Sequence, residues 1–282
     1  ALSENVRGID QWNLNGLNTI TLRDSDVGLN SLAGAMEDTT HVGFMFLTSG
    51  VATASVLNEL SALRNTDALD AMSATVVHGS LEDVTTLLQD NTVTLADNFN
   101  VSIEEAITAA QANALMNVTP GVVTAEVTTS GLSVAGLNTA LTNAGGADVL
   151  TLELHADATS ASAEDLNTLS GKTSGQIGGG SITDITSSSL VDVNTMISNR
   201  EKIGLDDGWD VTVSGTITAA QANALMNATT GKVTATVATS GLSVAELNTA
   251  LTNAGGADVL TLVLDATSAS AEDLNTLSGK TS

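Results

Sequence analysis

Three closely spaced aspartates are the residues whose type and spacing best suit ligand chemistry. The segment GLDDGWD places Asp206, Asp207 and Asp210 within five residues, beside a glycine. Carboxylate oxygens are the hard donors that calcium prefers, so we predict these residues as a candidate calcium site. Asp24 with Asp26 is a weaker candidate of the same kind. The segment matches neither an EF-hand loop nor the glycine-rich nonapeptide of calcium β-rolls, and a solvated acidic turn is the alternative interpretation.

The patterns that mark catalytic centres are incomplete in this chain. His41, His78 and His155 keep no metal-ligand spacing, the chain has no cysteine, and no GxSxG motif occurs. We therefore expect no catalytic residues, no enzymatic activity and no cofactor other than calcium. The remaining enzymatic hypothesis is a polysaccharide-acting protein in which a groove gathers acids, Lys202 and His155.

Two glycine-containing segments are too short to bind phosphate in the usual way. Gly-Lys-Thr occurs at 171–173 and 279–281, but Leu166 and Leu274 occupy the position where a phosphate-binding loop needs another glycine. We predict helix ends at both triplets. The glycine run 178–180 lacks the dinucleotide-binding spacing, and we predict a turn there.

The elements that position these residues follow from internal repeats. Residues 107–154 recur at 217–264 with 7 differences in 48 positions, and the match resumes at a slightly different offset up to residue 282. A shorter repeat unit of about 27 residues lies within this long repeat, a length typical of solenoids. Each short unit contains a hydroxyl followed five residues later by Asn in nine of ten cases. The ten hydroxyls are Ser25, Thr53, Ser80, Thr108, Ser133, Ser162, Ser189, Thr218, Ser243 and Ser270.

Each unit predicts a short capped helix. An acid or Gln three residues after the hydroxyl forms a capping box, and apolar residues follow at helical spacing. Seven units carry this pair: Ser80–Asp83, Thr108–Gln111, Ser162–Asp165, Ser189–Asp192, Thr218–Gln221, Ser243–Glu246 and Ser270–Asp273. We expect the Asn, which Thr85 replaces in one unit, to be half-buried and bonded to backbone in a loop or neighbouring unit. A repeated ligand site is the alternative.

Runs rich in β-branched residues precede the caps and predict strands with one buried face. They lie at 42–47, 74–77, 123–127, 149–154, 233–237 and 259–264. One strand and one short helix per unit cannot bury their apolar faces alone, so successive units must stack. We predict a right-handed parallel α/β solenoid of about ten strand–helix coils, leucine-rich-repeat-like in principle. Residues 1–282 form one array: divergent coils at 1–106, the first long repeat at 107–216, and a second, truncated one at 217–282.

The composition of the chain limits the classes of partner that it can bind. The formal charge of -24 repels nucleic acid and anionic membranes. We expect no targeting or membrane-spanning segment, because the sequence has no long apolar run and no signal-peptide pattern. The 42% of hydrophobic residues is enough for a core, so we do not expect wholesale disorder. Since aromatic residues make up only 2%, we expect an aliphatic core, with Trp209 and its counterpart Phe99 as plugs.

The segments AEDLNTLSGKTSG, at 163–175, and ITAAQANALMN, at 107–117 and 217–227, resemble the repeat arrays of giant cell-surface or secreted proteins of cyanobacteria and other marine bacteria. The resemblance implies an extracellular, structural or adhesive role, often beside calcium-binding modules. It transfers no catalytic residues. The glycine-rich calcium repeats of such proteins are missing from this chain.

These observations together predict a non-catalytic structural module of a large extracellular or cell-surface protein, of adhesin, filament or surface-layer type. Its expected partners are neighbouring repeats of a longer chain and other copies, joined end to end or along a surface through an exposed strand edge. A glycan- or protein-binding adhesive module is the alternative. Recognition surfaces are enriched in aromatic residues and Arg, and both are scarce here.

Overall fold

The computed structural model describes residues 20–23, 44–47, 51–62, 75–90, 93, 95–264 and 268–282. Two compact units are distinguished by their internal contacts. The first comprises Ala1–Thr128 and Leu141–Thr151, and the second comprises Thr129–Ala140 and Leu152–Ser282. The predictions for Ser25, Asp24, Asp26, His41 and the Asn of the first repeat unit lie outside the described residues.

The first unit alternates strands with helices. Its strands are β1 (Ile20–Arg23), β2 (Phe44–Leu47), β3 (Val51–Thr53), β4 (Val76–Gly79), β5 (Asn100–Ile103), β6 (Ile107–Thr108), β7 (Val123–Thr128) and the start of β8 (Val149–Glu153). Its helices are α1 (Ala54–Ala62), α2 (Leu81–Gln89) and α3 (Ala109–Val118). β1 pairs with β2, and β3, β4, β5 and β7 pair in that order, all in parallel. β6 also pairs in parallel with β7, and β8 lies next to β7.

The second unit repeats the alternation. Its strands are the end of β8, β9 (Ser160–Ser162), β10 (Ile177–Gly178), β11 (Asp184–Ser189), β12 (Asp210–Thr218), β13 (Val233–Ala238) and β14 (Val259–Leu262). Its helices are α4 (Val134–Ala140), α5 (Ala163–Gly171), α6 (Leu190–Ser198), α7 (Arg200–Ile203), α8 (Ala219–Ala228), α9 (Val244–Ala250) and α10 (Ala271–Ser278). Strands β9, β11, β12, β13 and β14 form a parallel sheet in that order. β10 pairs with Leu152 and Glu153.

The α/β class and the parallel strand pairing are confirmed. Each of the six predicted runs overlaps a strand, and β7 and β13 bury alternate side chains, as one-sided burial requires. The short strands β1, β3, β6 and β10 lie outside the predicted runs, and so do β5, β9, β11 and β12. Ser, Thr and Asn occupy many of their positions, so their sequences lack a strong apolar alternation.

The core is aliphatic, as predicted, and is formed by Ala, Val, Leu and Ile side chains between helices and strands. Trp209 and Phe99 are both buried, which confirms their predicted role as core plugs. Burying apolar side chains is the main favourable contribution to folding, at about 25 cal/mol per Å² removed from water. Among the described helices, none combines the length and apolar character needed to cross a bilayer.

The hydroxyl caps the helix in all seven units, as predicted, but the complete capping box forms in only three of them. In every case the hydroxyl oxygen accepts the N–H of the residue three positions later. Gln111, Gln221 and Glu246 also reach back to the backbone N–H of the capping residue, which completes the box. All three also accept the capping hydroxyl. Aspartate is one methylene shorter, and in the other four units it accepts only the hydroxyl, as Asp165 does from Ser162 at 2.7 Å. Chain length at this position therefore decides the form of the cap.

The two Gly-Lys-Thr triplets lie at helix ends, as predicted. α5 ends at Gly171 and α10 is followed by Gly279, while Leu166 and Leu274 lie within these helices. The run at 178–180 leads from β10 into a turn, where the Gly179 N–H donates to the Ile203 carbonyl oxygen at 2.8 Å. A Cβ on Gly179 would lie 2.4 Å from that oxygen, so the close approach requires glycine.

Candidate functional site

The three aspartates of the predicted calcium site lie on the connection from α7 to β12. Gly204 ends α7 in the left-handed conformation, with a φ of 66°, and the buried ring of Trp209 anchors the other end. Asp206 and Asp207 are exposed, and Asp210 is half-buried at the start of β12. Their backbone is therefore held at both sides, while the carboxylates remain near the surface.

The structure directs these carboxylates to different partners. Asp207 Oδ1 forms an ion pair with Arg200 Nη1 at 2.8 Å. Asp210 Oδ1 accepts the Lys232 backbone N–H at 2.7 Å, and its Oδ2 lies 3.5 Å from Lys232 Nζ. Asp206 lies beside Gly180. Across the described ranges, no group of three or more His, Asp or Glu side chains is arranged to hold a metal ion. Calcium binding by the three aspartates remains a prediction.

Comparison of the two long repeats explains Asp210. Its counterpart 110 residues earlier is Asn100, whose Oδ1 accepts the Val122 N–H at 2.7 Å, the equivalent contact. A neutral amide thus accepts the same backbone hydrogen bond as the carboxylate. The bond joins the start of one strand to the next, so the contact that Asp210 makes is structural and independent of its charge.

Two buried aspartates were missed by the sequence analysis. Asp258 is 6% exposed, and its two oxygens accept the N–H groups of Val233, at 2.8 Å, and Gly255, at 2.9 Å. Asp148 makes the equivalent bonds to Val123 and Gly145 in the first long repeat. The signal that could have found them is the identical GGADVL segment, in which an acid directly precedes a strand.

The enzymatic hypothesis requires a groove that gathers acids, Lys202 and His155. In the structure, these two side chains make separate contacts. Lys202 Nζ donates to the carbonyl oxygens of Ser170 and Thr173, at the end of α5. His155 pairs with its neighbour Asp157, at 3.3 Å. His78 contacts Glu104 at 2.9 Å, in the first unit. Each contact lies at a strand end or a helix end.

The repeated Asn connects neighbouring helices at four of its described positions, as predicted, whereas Asn194 and Asn275 are exposed and the prediction is wrong for them. The side-chain N–H of Asn167 donates to the carbonyl oxygen of Asp192 at 2.9 Å, and the Asn side chain is half-buried. The same bond, at the same length, is made in three other places: Asn58 to Asp83, Asn138 to Asp165, and Asn248 to Asp273. In all four the acceptor belongs to the third helical residue of the next repeat unit. We call these four bonds the asparagine ladder.

Two asparagines at the same repeat position bond differently. Asn113 Oδ1 accepts the Asn143 N–H at 2.7 Å, and Asn223 accepts that of Asn253 at 2.8 Å. These partners are also about one unit further along the chain. Where Thr85 replaces the Asn, that side chain lines a cavity of about 440 Å³ between α2 and α3. The Asn therefore contributes to close helix contact.

Basic side chains at helix C-termini form a second set of contacts between repeat units, which sequence reasoning missed. Lys202 reaches the end of α5, Lys280 Nζ donates to the Leu251 carbonyl oxygen at 2.6 Å, and Arg200 Nη1 donates to that of Ala228 at 3.4 Å. A helix C-terminus carries partial negative charge and unpaired carbonyl groups. The sequence feature that could have revealed these contacts is the separation of donor and acceptor along the chain, which is close to one repeat unit.

Comparison with protein-family models, curated proteins and solved structures found no match to this chain. Its function is therefore inferred from the contacts that its own residues make.

Proposed function

We propose that this chain is a non-catalytic structural repeat module, a right-handed α/β solenoid that serves as an elongated acidic scaffold in a large extracellular or cell-surface protein. The asparagine ladder is the observation that carries the proposal. Its residues recur with the repeat, and each bond joins one unit to the next. A protein built from nearest-neighbour contacts of this kind gains length by adding units.

The use made of polar side chains supports a structural role. Cap hydroxyls bond within their own helices, while Lys202, Lys280 and Asp258 bond to backbone groups of other repeat units. The surplus of 32 acidic over 8 basic residues keeps such a scaffold soluble and makes cations its natural small ligands. Calcium bridging through Asp206, Asp207 and Asp210 belongs to this proposal.

The last described helix supports stacking against further units or another copy. Leu274 in α10 is 43% exposed, whereas its counterpart Leu166 in α5 is fully buried. Leu264, which follows β14, is 40% exposed, against 4% for its counterpart Leu154. The same repeat positions are therefore core where a further unit follows. We propose that these leucines are covered by neighbouring repeats of a longer chain or by end-to-end association.

Duplicating residues 107–216 in tandem tests the solenoid. The insert contains four short repeat units, so a solenoid lengthens by four strand spacings of about 4.8 Å, or about 19 Å. Small-angle X-ray scattering should show this increase in maximum dimension with an unchanged cross-section. A compact globule of the larger size would instead gain only about 13% in radius of gyration. Growth of the cross-section would contradict the proposal.

Light scattering against protein concentration tests the end-to-end contact. Leu274→Glu places a charge on the exposed apolar surface and should reduce association of the chain. Val191→Glu is the matched control, because Val191 is 73% exposed on α6. A monomeric profile for the unchanged chain, or equal effects of both substitutions, would contradict association through this surface.

A further inference from the structure

Strand β14 has an outer edge with which no other strand of the described chain pairs. It is the last strand of its sheet, and its inner neighbour is β13. The Leu260 N–H points away from β13 and donates to the Thr281 hydroxyl oxygen at 2.7 Å. Alternate residues of a parallel strand direct their N–H groups to the same side, so those of Leu262 and Leu264 point to this outer edge as well. An open edge of this kind is a template for another strand.

The first long repeat shows which segment covers the equivalent edge. The counterparts of the two leucines, 110 residues earlier, are Leu152 and Leu154. Their N–H groups donate to the carbonyl oxygens of Gln176 and Gly178, each at 3.0 Å. The segment that supplies these oxygens runs parallel to β8, with Ile177 opposite Leu152. A short extended segment of sequence Gly-Gln-Ile-Gly, at 175–178, therefore closes this edge in the first repeat.

The covering segment contributes one apolar anchor as well as backbone bonds. The side chain of Ile177 is 1% exposed, so this residue belongs to the core. Leu154, at the covered edge, is 4% exposed, whereas its counterpart Leu264 is 40% exposed. The open edge of β14 thus lacks both a row of hydrogen-bond partners and the apolar side chain that completes the core.

The side chains of β14 do not protect its edge from pairing. Exposed edge strands usually carry charged residues or proline, which discourage the addition of another strand. The position that Glu153 occupies in β8 is taken by Val263, directly after β14, and this valine is 71% exposed. In a chain with 32 acidic residues, an uncharged edge with an exposed apolar side chain favours an uncharged partner segment. The Gly-Gln-Ile-Gly segment has this character.

We propose that the edge of β14 at 262–264 accepts an extended Gly-Gln-Ile-Gly segment of another polypeptide chain as an added parallel strand. Two carbonyl oxygens of the added segment accept the N–H groups of Leu262 and Leu264, and its isoleucine packs beside Leu262. In strand addition of this kind, the main-chain bonds supply affinity and the side-chain anchor supplies specificity. This inference rests on the proposed repeat scaffold and specifies a segment through which one chain joins another.

An NMR titration of the ¹⁵N-labelled chain tests the site directly, at a concentration where light scattering shows a monomer. The probe is a peptide with the sequence of residues 175–181, acetylated and amidated at its ends. It should shift the amide signals of Leu262 and Leu264 in a saturable manner and slow hydrogen exchange at both amides. Since the peptide is uncharged, added salt should leave its binding unchanged. The same peptide with Ile177→Asp should produce no such shifts.

Two variants of the chain locate the binding at the edge. Leu264→Pro removes one outward N–H, and the pairing of β13 with β14 stays intact because it ends at Leu262. Leu264→Ala is the matched control, which shortens the side chain and keeps the N–H. The proline variant should bind the peptide about fivefold more weakly than the alanine variant, the effect of one backbone hydrogen bond.

A chain extended after Ser282 by the sequence of residues 175–181 provides a second test. The attached segment should occupy the edge of its own chain and abolish binding of the free peptide. An extension of the same length with Ile177→Asp is the control and should leave binding of the free peptide intact. This pair decides the question if the proline variant does not fold.

Three results would overturn the proposal. One is equal binding of the Ile177→Asp peptide, and another is equal binding of the free peptide by the two extended chains. The third is a set of shifts confined to α10, which would place the peptide on the helix surface instead of the strand edge. Failure of the scaffold is measured separately, by the tandem duplication of residues 107–216. A chain that lengthens as a solenoid but does not bind the peptide contradicts only the strand-acceptor site.

Discussion

Replacing Asn167 by Ala should weaken the contact between α5 and α6. Asn167 donates one hydrogen bond of 2.9 Å to the Asp192 carbonyl oxygen in the next repeat unit. Asn194 occupies the same repeat position in α6, but it is exposed and none of its described side-chain contacts joins another unit. Asn194→Ala therefore makes the same chemical change in a helix without removing a ladder bond.

The magnitude follows from two opposing effects. Losing the hydrogen bond costs about 1 kcal/mol of unfolding free energy. Alanine is a better helix former than asparagine by about 0.5 kcal/mol, which stabilises both variants. Asn167→Ala should therefore be destabilised by about 0.5 kcal/mol, and Asn194→Ala should be stabilised by about as much. The two variants should differ by about 1 kcal/mol, or about 2–3 °C in melting temperature for a chain of this size.

Urea denaturation followed by circular dichroism, with thermal unfolding as a second measurement, would compare the two variants with the unchanged chain. Hydrogen exchange at the amides of α5 and α6 would show whether the loss is local, because repeat proteins can open unit by unit. The reasoning would be refuted if the two substitutions changed stability by the same amount and in the same direction. The asparagine would then be a surface residue that happens to lie near a carbonyl group.

Three further predictions concern single contacts. Gly136→Glu should raise the unfolding free energy by about 1 kcal/mol in urea denaturation, because it gives α4 the capping box that Glu246 forms in α9 and removes a helical glycine. Gly136→Ala isolates the effect of removing the glycine. Equal gains in the two variants would exclude a contribution from the box. Asp258→Ala should lower the free energy of unfolding by about 2–4 kcal/mol, since two backbone N–H groups lose their acceptor. Asp210→Asn should change it by less than about 0.5 kcal/mol, because the amide oxygen still accepts the Lys232 N–H. Similar losses in both variants would contradict these structural roles. Hydrogen bonds from the Ser243 backbone N–H, and then its hydroxyl, hold the pKa of Glu246 below its usual value. The contribution of the ionised carboxylate to stability is complete above the unfolded pKa and is lost as pH falls through the folded pKa. The difference in unfolding free energy between the unchanged chain and Glu246→Gln should therefore shrink in acid. A constant difference down to about pH 3 would refute this prediction.

Local features were the most predictable. A cap joins residues three positions apart, so Ser162 and Asp165 reveal it without any knowledge of tertiary structure. Strand runs such as 123–127 and 233–237 were found because burial of one face selects alternating apolar residues. The short connection through α7 was not predicted, because four residues carry too little periodic information.

Contacts between repeat units were only partly predictable. The recurrence of Asn indicated a bond to backbone in a loop or a neighbouring repeat unit, and the asparagine ladder confirms a bond to the next repeat unit. The sequence alone could not identify the acceptor as the third helical residue of that repeat unit. Lys202 and Lys280 bond to carbonyl groups about one unit away, and these partners depend on how helices align side by side.

The asparagine ladder also bears on how such a chain can change over evolution. Its donors and acceptors lie 25 to 27 residues apart, and each bond joins adjacent units. A recombination event that adds or removes a whole long repeat leaves each Asn of the ladder beside an equivalent carbonyl group, as Asn138 and Asn248 show. The close copies at 107–154 and 217–264 are the expected record of such an event. Gene length can therefore vary between lineages without the compensating mutations that a conventional core would demand.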